Sequence, residues 1–130
     1  MQRVARQLAR WVPPLAWMGA IFALSAQPDL PHAPGPWLDT LIKKMGHAVV
    51  YGVLAWLLVR ALVGDGVPSD RLRLLCVALA VAYGASDELH QACVPGRNPA
   101  VTDVLIDGMG AATAMALHRR WTEARAREGR

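Results

Sequence analysis

The sequence predicts an all-α protein, a four-helix transmembrane bundle whose two termini lie on the cytoplasmic side. Of its 130 residues 54% are apolar and only 18% are charged, whereas an average soluble domain is about 25% charged. The apolar residues form stretches without the alternation of β-strands, and Ala and Leu dominate them. Basic residues also sort to one side of these stretches. With two cysteines, this composition excludes a disordered chain and a disulfide-rich secreted scaffold.

Polar and turn-forming residues set the bounds of the predicted spans. The first apolar stretch ends at Gln27-Pro28-Asp29, the second at Gly64-Asp65-Gly66, and the third at Asp87-Glu88. A crossing needs about 20 residues, so the last three spans must include flanking polar residues. We place the spans at about 8–27, 45–64, 72–90 and 100–118, followed by a basic tail over 119–130, all in one domain. The proline-rich connection after the first span is expected to be extended.

The distribution of basic residues predicts the orientation. With both termini cytoplasmic, that side holds eleven basic residues: Arg3, Arg6, Arg10, Arg60, Arg71, Arg73, Arg119, Arg120, Arg125, Arg127 and Arg130. The outer side holds only Lys43, Lys44 and Arg97. This asymmetry follows the positive-inside rule, and it accounts for the isoelectric point of 9.7 without nucleic-acid binding. Arg60, Arg71 and Arg73 are expected to reach the membrane interface by snorkelling.

A cleavable secretory signal is the alternative for the N-terminus. Arginines precede an apolar stretch that ends in Ala23-Leu24-Ser25-Ala26, which offers small residues for cleavage. Cleavage would leave three spans and the same charge asymmetry. Pro13-Pro14 and the length of the stretch argue against this alternative.

Polar residues gather at the helix ends that face outward. Asp103, Asp107, Gly110 and Ala114 share one helix face, and Lys44, His47 and Tyr51 lie along one side of the second span. Facing lipid, each charge would cost about 2.5–3.5 kcal/mol on insertion scales, so these groups are expected to face inward. Gly110 and Ala114 predict a close helix–helix approach. The result is a polar pocket open to the outer face; a closed network with no ligand is the structural alternative.

Several motifs together resemble the VanZ-like family of small bacterial integral membrane proteins, which is named for a teicoplanin-resistance protein. The first span carries Trp17-Met18, Ile21-Phe22 and Ser25, and the second carries the K-x-x-H-x-x-x-Y element. The more specific motifs are Asp87-Glu88-Leu89-His90-Gln91, Val94-Pro95-Gly96-Arg97 and the spaced aspartates that follow. The resemblance covers residues 11–116. Val50 and Cys93 depart from it, standing where an acidic residue and an aromatic residue are common.

The resemblance implies a multi-pass protein of the bacterial cytoplasmic (inner) membrane. We expect it to bind an amphipathic ligand at the outer face, either a lipid-linked envelope precursor or a lipoglycopeptide, and to contribute to glycopeptide (teicoplanin) tolerance. Membrane lipids are its other expected partners, and its oligomeric state stays open. The predicted ligand-binding residues are Lys44, His47, Tyr51, Asp87, Glu88, His90, Gln91, Arg97, Asp103 and Asp107.

Other functions use the same residues. An acid–base hydrolase or transferase acting on a lipid-linked envelope substrate would use Asp87, Glu88, His47 and Asp103. It is the less favoured reading, since Ser25, Ser86 and Cys93 lack a nucleophile motif. No metal or other cofactor is expected, because no metal-ligand spacing such as HExxH occurs; a metal would use His47, His90 and the carboxylates. A transporter is less favoured because the charges occupy only the outer half.

Overall fold

The computed structural model describes residues 2–28, 33–64 and 66–129. Within these residues the chain is all-α, as predicted, and it contains no strand. The four helices in chain order are α1 (Gln2–Ser25), α2 (Pro36–Val63), α3 (Asp70–Gln91) and α4 (Val101–Glu128).

Local chemistry explains where the middle helices begin and end. α2 starts with Pro36, whose missing N–H is not needed in the first turn. It ends at Gly64, which has a φ of +65° and donates its N–H to the carbonyl of Arg60. α3 begins after Ser69, whose hydroxyl accepts the N–H of Leu72 at 3.3 Å.

Two helices extend beyond the predicted membrane spans, whose bounds stay predictions. α2 begins at residue 36 rather than near residue 45, so the proline-rich connection is helical over its last part. α4 continues to Glu128 through the predicted basic tail. Arg119 donates Nε to Glu123 Oε1 at 2.8 Å across one turn, which supports this extension. The same hydrogen bond lowers the pKa of the Glu123 carboxyl.

The core lies along α2, which packs against all three other helices and most extensively against α4. A Cβ atom added to Gly52 would lie 3.1 Å from the carbonyl oxygen of Gly110, and one added to Gly110 would overlap the backbone of Ala48. The predicted close approach through Gly110 and Ala114 is therefore confirmed. The buried apolar residues that pack together in this core are Ile21, Tyr51, Leu54, Ala55, Leu58, Val59, Cys76, Ala80, Ala111 and Met115.

The bundle exposes apolar side chains on every helix. Leu15, Met45, Leu74 and Met109, one from each helix, are each more than half exposed. Among the described helices, α2 is the one long and apolar enough to cross a membrane by itself. The four-span topology and the cytoplasmic position of both termini stay predictions.

Candidate functional site

The polar residues meet where α1 and α3 end and where α2 and α4 run alongside them. We call this region the acidic end. It comprises Ser25, Lys44, His47, Tyr51, Asp87, Glu88, Gln91, Asp103 and Asp107. The opposite region, which we call the arginine end, comprises Trp56, Asp70, Arg73, His118, Trp121 and Thr122.

Two polar contacts, an ion pair and a histidine–carboxylate contact, join α2 to α4 at the acidic end. Lys44 donates Nζ to Asp103 Oδ1 at 3.2 Å. His47 Nδ1 lies 2.9 Å from Asp107 Oδ1, and Asp107 is fully buried. The four-residue spacing of the two aspartates on α4 thus matches the three-residue spacing of Lys44 and His47 on α2. The predicted inward orientation of both aspartates is confirmed.

One oxygen of the Asp87 carboxylate accepts hydrogen bonds from uncharged donors. Its Oδ2 accepts hydrogen bonds from Ser25 Oγ at 2.6 Å, from Gln91 Nε2 at 3.1 Å and from Tyr51 Oη at 3.4 Å. All four residues are buried. Asp87 therefore ties α1, α2 and α3 together, while its Oδ1 has no partner among the described residues.

Glu88 joins the end of α3 to the start of α4. Its Oε2 accepts the backbone N–H of Ala100 at 2.8 Å. Ala100 precedes the first residue of α4 and has no side chain that could cap the helix. A carboxylate at this point also interacts favourably with the positive end of the helix dipole.

Side chains from α2, α3 and α4 also converge at the acidic end. His47, Glu88 and Asp103 present candidate metal-ligand atoms that all lie within 4.8 Å of one another. Glu88 is buried, and the other two residues are partly exposed. In the described part of the chain, this is the group that could hold a metal ion.

Arg97 and His90 contact α1 instead of the acids. Arg97 donates Nε to the carbonyl oxygen of Gln27 at 2.9 Å and Nη2 to that of Leu24 at 2.8 Å. These carbonyls lie at and just beyond the end of α1, and that of Leu24 also accepts the N–H of Gln27 at 3.2 Å. The His90 ring stacks on Phe22 with centroids 4.3 Å apart. The other eight predicted site residues lie together at the acidic end.

The predicted site omitted two residues that shape it. A Cβ atom on Gly84 would lie 2.8 Å from Asp107 Oδ2 and 3.3 Å from the Tyr51 ring, so this glycine makes room for both. A glycine inside a helix costs about 0.5–1 kcal/mol relative to alanine, and its presence in α3 was the available signal. The sequence places Ser25 at the end of the first span, but it does not indicate that Ser25 pairs with Asp87.

An open apolar groove of about 480 Å³ runs between α2 and α4, and its lining includes none of the residues of the acidic end. It begins at Ala48, next to His47, and at Met109, two residues after Asp107. Its lining residues are Ala48, Val49, Gly52, Val53, Trp56, Met109, Gly110, Thr113, Ala114 and Leu117.

The arginine end is organised differently. Arg73 is buried and donates Nη1 to Asp70 Oδ1 at 2.8 Å and Nη2 to Thr122 Oγ1 at 3.1 Å. Asp70 is 67% exposed, and the prediction that Arg73 snorkels to the interface stays a prediction. The His118 ring packs edge-on against Trp56 at 4.8 Å.

These features define a class of protein, a small helical bundle with carboxylates turned inward and apolar side chains turned outward. Over residues 2–122 the chain matches the family described as VanZ/LLP1, and it belongs to that family. The resemblance stated from the motifs is thus confirmed. Membership supports a VanZ-like protein of the cell envelope, in a family that is typically membrane-associated. No curated protein and no solved structure matches the chain.

Proposed function

We propose that this protein crosses the bacterial cytoplasmic membrane four times and binds an amphipathic lipid-linked or glycopeptide-type ligand at its outer face. One observation carries the proposal: the same two helices, α2 and α4, build both the acidic end and the apolar groove. A ligand with a polar head and an apolar tail matches that arrangement.

The membrane location is supported by the distribution of side chains. Large apolar residues are exposed on all four helices, whereas Asp87, Glu88 and Asp107 are buried. Lipid favours this arrangement, because intramembrane charges turn toward the bundle interior. The shortest helix, α3, has 22 residues and is therefore about 33 Å long, enough for a hydrocarbon core of about 30 Å.

The groove and the polar residues of the acidic end would bind different parts of the ligand. The groove volume lies within the range of about 300–1,000 Å³ that is typical of small-ligand sites. Its apolar lining suits an acyl or prenyl chain. The side chains of Lys44, His47 and Asp103 are 40%, 26% and 23% exposed, so they are accessible to a headgroup.

The charges at the acidic end favour a particular headgroup chemistry. Among the described residues, the cations paired with the four carboxylates are Lys44 and His47, since the Arg97 guanidinium is engaged with carbonyls at the end of α1. Carboxylates accept hydrogen bonds from amino and hydroxyl groups, which are abundant in the sugar and peptide parts of envelope precursors and glycopeptides. Retention of such a ligand would contribute to teicoplanin tolerance by removing the drug or its lipid-linked target from the growing wall.

The groove can be tested with a pair of matched variants of the full chain in lipid nanodiscs. Thr113→Trp places a large ring in the groove, whereas Ala112→Trp adds the same ring at an exposed neighbouring position outside it. We expect Thr113→Trp to weaken binding of a lipid-linked peptidoglycan precursor and of teicoplanin at least tenfold, measured by native mass spectrometry, and Ala112→Trp to leave it unchanged. Equal binding by the two variants, or no binding of either ligand by the unaltered protein, would reject the proposal.

Tolerance is a separate readout. A strain that expresses the protein should require a higher teicoplanin concentration for growth inhibition than one that lacks it, and Thr113→Trp should remove the difference. If tolerance is unchanged while binding is confirmed, the protein handles an envelope ligand without protecting against this drug.

A further inference from the structure

We propose that His47, Glu88 and Asp103 form a binding site for a divalent transition-metal ion of the Zn²⁺ or Mn²⁺ type. The three side chains come from α2, α3 and α4, and their ligand atoms lie within 4.8 Å of one another. Metal–ligand bonds of about 2.0–2.2 Å bring such a group onto one ion after small side-chain rotations.

The donor set indicates the class of ion. One imidazole nitrogen and two carboxylates are ligands of zinc and manganese, whereas magnesium and calcium prefer oxygen ligands alone. Glu88 is largely buried and its Oε2 already accepts the N–H of Ala100. The carboxylate is therefore fixed in place before any ion arrives.

Asp107 supplies an independent sign of metal ligation. Its Oδ1 lies 2.9 Å from Nδ1 of His47, and Asp107 itself has no exposed surface. A metal-bound histidine typically donates its other ring N–H to such a carboxylate, which fixes the ring and its tautomer. With Nδ1 engaged, Nε2 is the nitrogen available to an ion.

The charge balance also favours a cation. Asp87, Glu88, Asp103 and Asp107 are opposed by Lys44 and by His47, which adds a second positive charge only when protonated. Buried Oδ1 of Asp87 and Oδ2 of Asp107 have no partner among the described residues. A divalent ion in front of His47 would reduce this excess of negative charge.

Lys44 is the competing cation. Its Nζ lies 3.2 Å from Asp103 Oδ1, and its side chain is 40% exposed, so it can turn toward solvent when an ion occupies the site. Lys44→Met is therefore expected to tighten ion binding about tenfold, because it removes a like charge and frees the carboxylate.

The ion would extend the proposed function, and this step rests on it. Three protein ligands leave at least one coordination position open. An oxygen of the amphipathic ligand, from a phosphate, carboxylate or hydroxyl group, could occupy that position. The bound ion would allow an acid-rich site to accept an anionic headgroup.

The test uses the full chain in detergent, stripped with a chelator and then dialysed against Zn²⁺ or Mn²⁺ without any lipid ligand. We expect one ion per chain by elemental analysis. His47→Ala and Glu88→Gln should each weaken binding at least tenfold. Asp107→Asn should weaken it about 10–100-fold, the usual effect of losing a carboxylate behind a histidine ligand. His118→Ala, at the arginine end, is the matched control and should bind as the unaltered protein does.

Two results would overturn the site: fewer than one ion per chain for both metals, or equal affinity in His47→Ala, Glu88→Gln and His118→Ala. X-ray absorption of the zinc-loaded unaltered protein provides a test that needs no variant. It should show imidazole and oxygen ligands, and sulfur in the first shell would place the ion at a cysteine instead. Ion binding is measured without lipid, so it tests the metal site alone. Binding of the lipid-linked ligand to Thr113→Trp and Ala112→Trp can be compared in the presence of a chelator, so it tests the groove alone. Either proposal can therefore fail without the other.

Discussion

The two ends of the bundle bury charge in different ways. At the arginine end, Arg73 is held by Asp70 and Thr122, and aromatic rings close the space around His118. At the acidic end, carboxylates outnumber their cationic partners, and the helices that carry them, α2 and α4, also bound an apolar groove. Both ends contain buried atoms without a partner among the described residues, Arg73 Nε and His118 Nδ1 at one end and Asp87 Oδ1 and Asp107 Oδ2 at the other. The difference therefore lies in the sign of the charge, which at the acidic end favours a cation.

The largest expected effect comes from separating the two helices that build the acidic end. Gly110→Leu forces a side chain into the backbone of Ala48, so we expect a loss of about 3 kcal/mol or failure to fold. Gly46→Leu, on α2 with no neighbouring atom within 4 Å of its Cβ position, is the control and should be tolerated. Thermal unfolding of the full chain in detergent measures both, and equal stability would show that the close approach is not required.

Arg73→Met tests whether the arginine end is purely structural. The variant loses the hydrogen bonds to Asp70 and Thr122, and we expect unfolding to become easier by about 1–2 kcal/mol. Affinities for the lipid-linked ligand and for Zn²⁺ should not change. A tenfold drop in either affinity, in protein that retains its helical content, would mean that the two ends are coupled.

Ser25→Ala probes the neutral donors around Asp87. Loss of the 2.6 Å hydrogen bond leaves a buried carboxylate with fewer partners, so we expect a cost of about 1 kcal/mol. Ser86→Ala is the matched control because its exposed hydroxyl donates only to the Tyr83 carbonyl of its own helix. Comparable unfolding temperatures for the two variants would show that Asp87 does not depend on Ser25.

Arg97→Gln has the smallest expected effect on stability, about 0.5–1 kcal/mol, because the guanidinium is partly solvated and its carbonyl acceptors can bond to water. Ligand affinity should stay within twofold of the unaltered protein. A larger fall in affinity without further loss of stability would assign Arg97 to the ligand, as the sequence suggested.

Helical periodicity explains what the sequence could predict. It placed Lys44, His47 and Tyr51 in one row and Asp103 and Asp107 in another, and the structure pairs these rows across α2 and α4. Periodicity identifies a face but not the atoms opposite it. The composition likewise predicts apolar outer surfaces, and the order of residues places basic side chains at the helix ends.

The remaining contacts depend on features that sequence patterns do not encode. Arg97 follows a tight turn at Gly96, which has a φ of +82°, and the backbone path after that turn directs the guanidinium to carbonyls of α1. Main-chain acceptors leave no trace in side-chain spacing. The role of Gly84 was hidden for a similar reason, since it depends on the space that Asp107 and Tyr51 occupy.

The hydrogen bond from the Ala100 N–H to Glu88 has a consequence for the loop over residues 92–99. It fixes one end of that loop to the carboxylate that would also face a bound headgroup or ion. Any occupant that draws Glu88 toward itself therefore changes how firmly the loop is anchored. Binding of a headgroup or an ion should therefore change the rate of amide hydrogen exchange at Ala100. Exchange in this loop would then report on binding at the buried carboxylate.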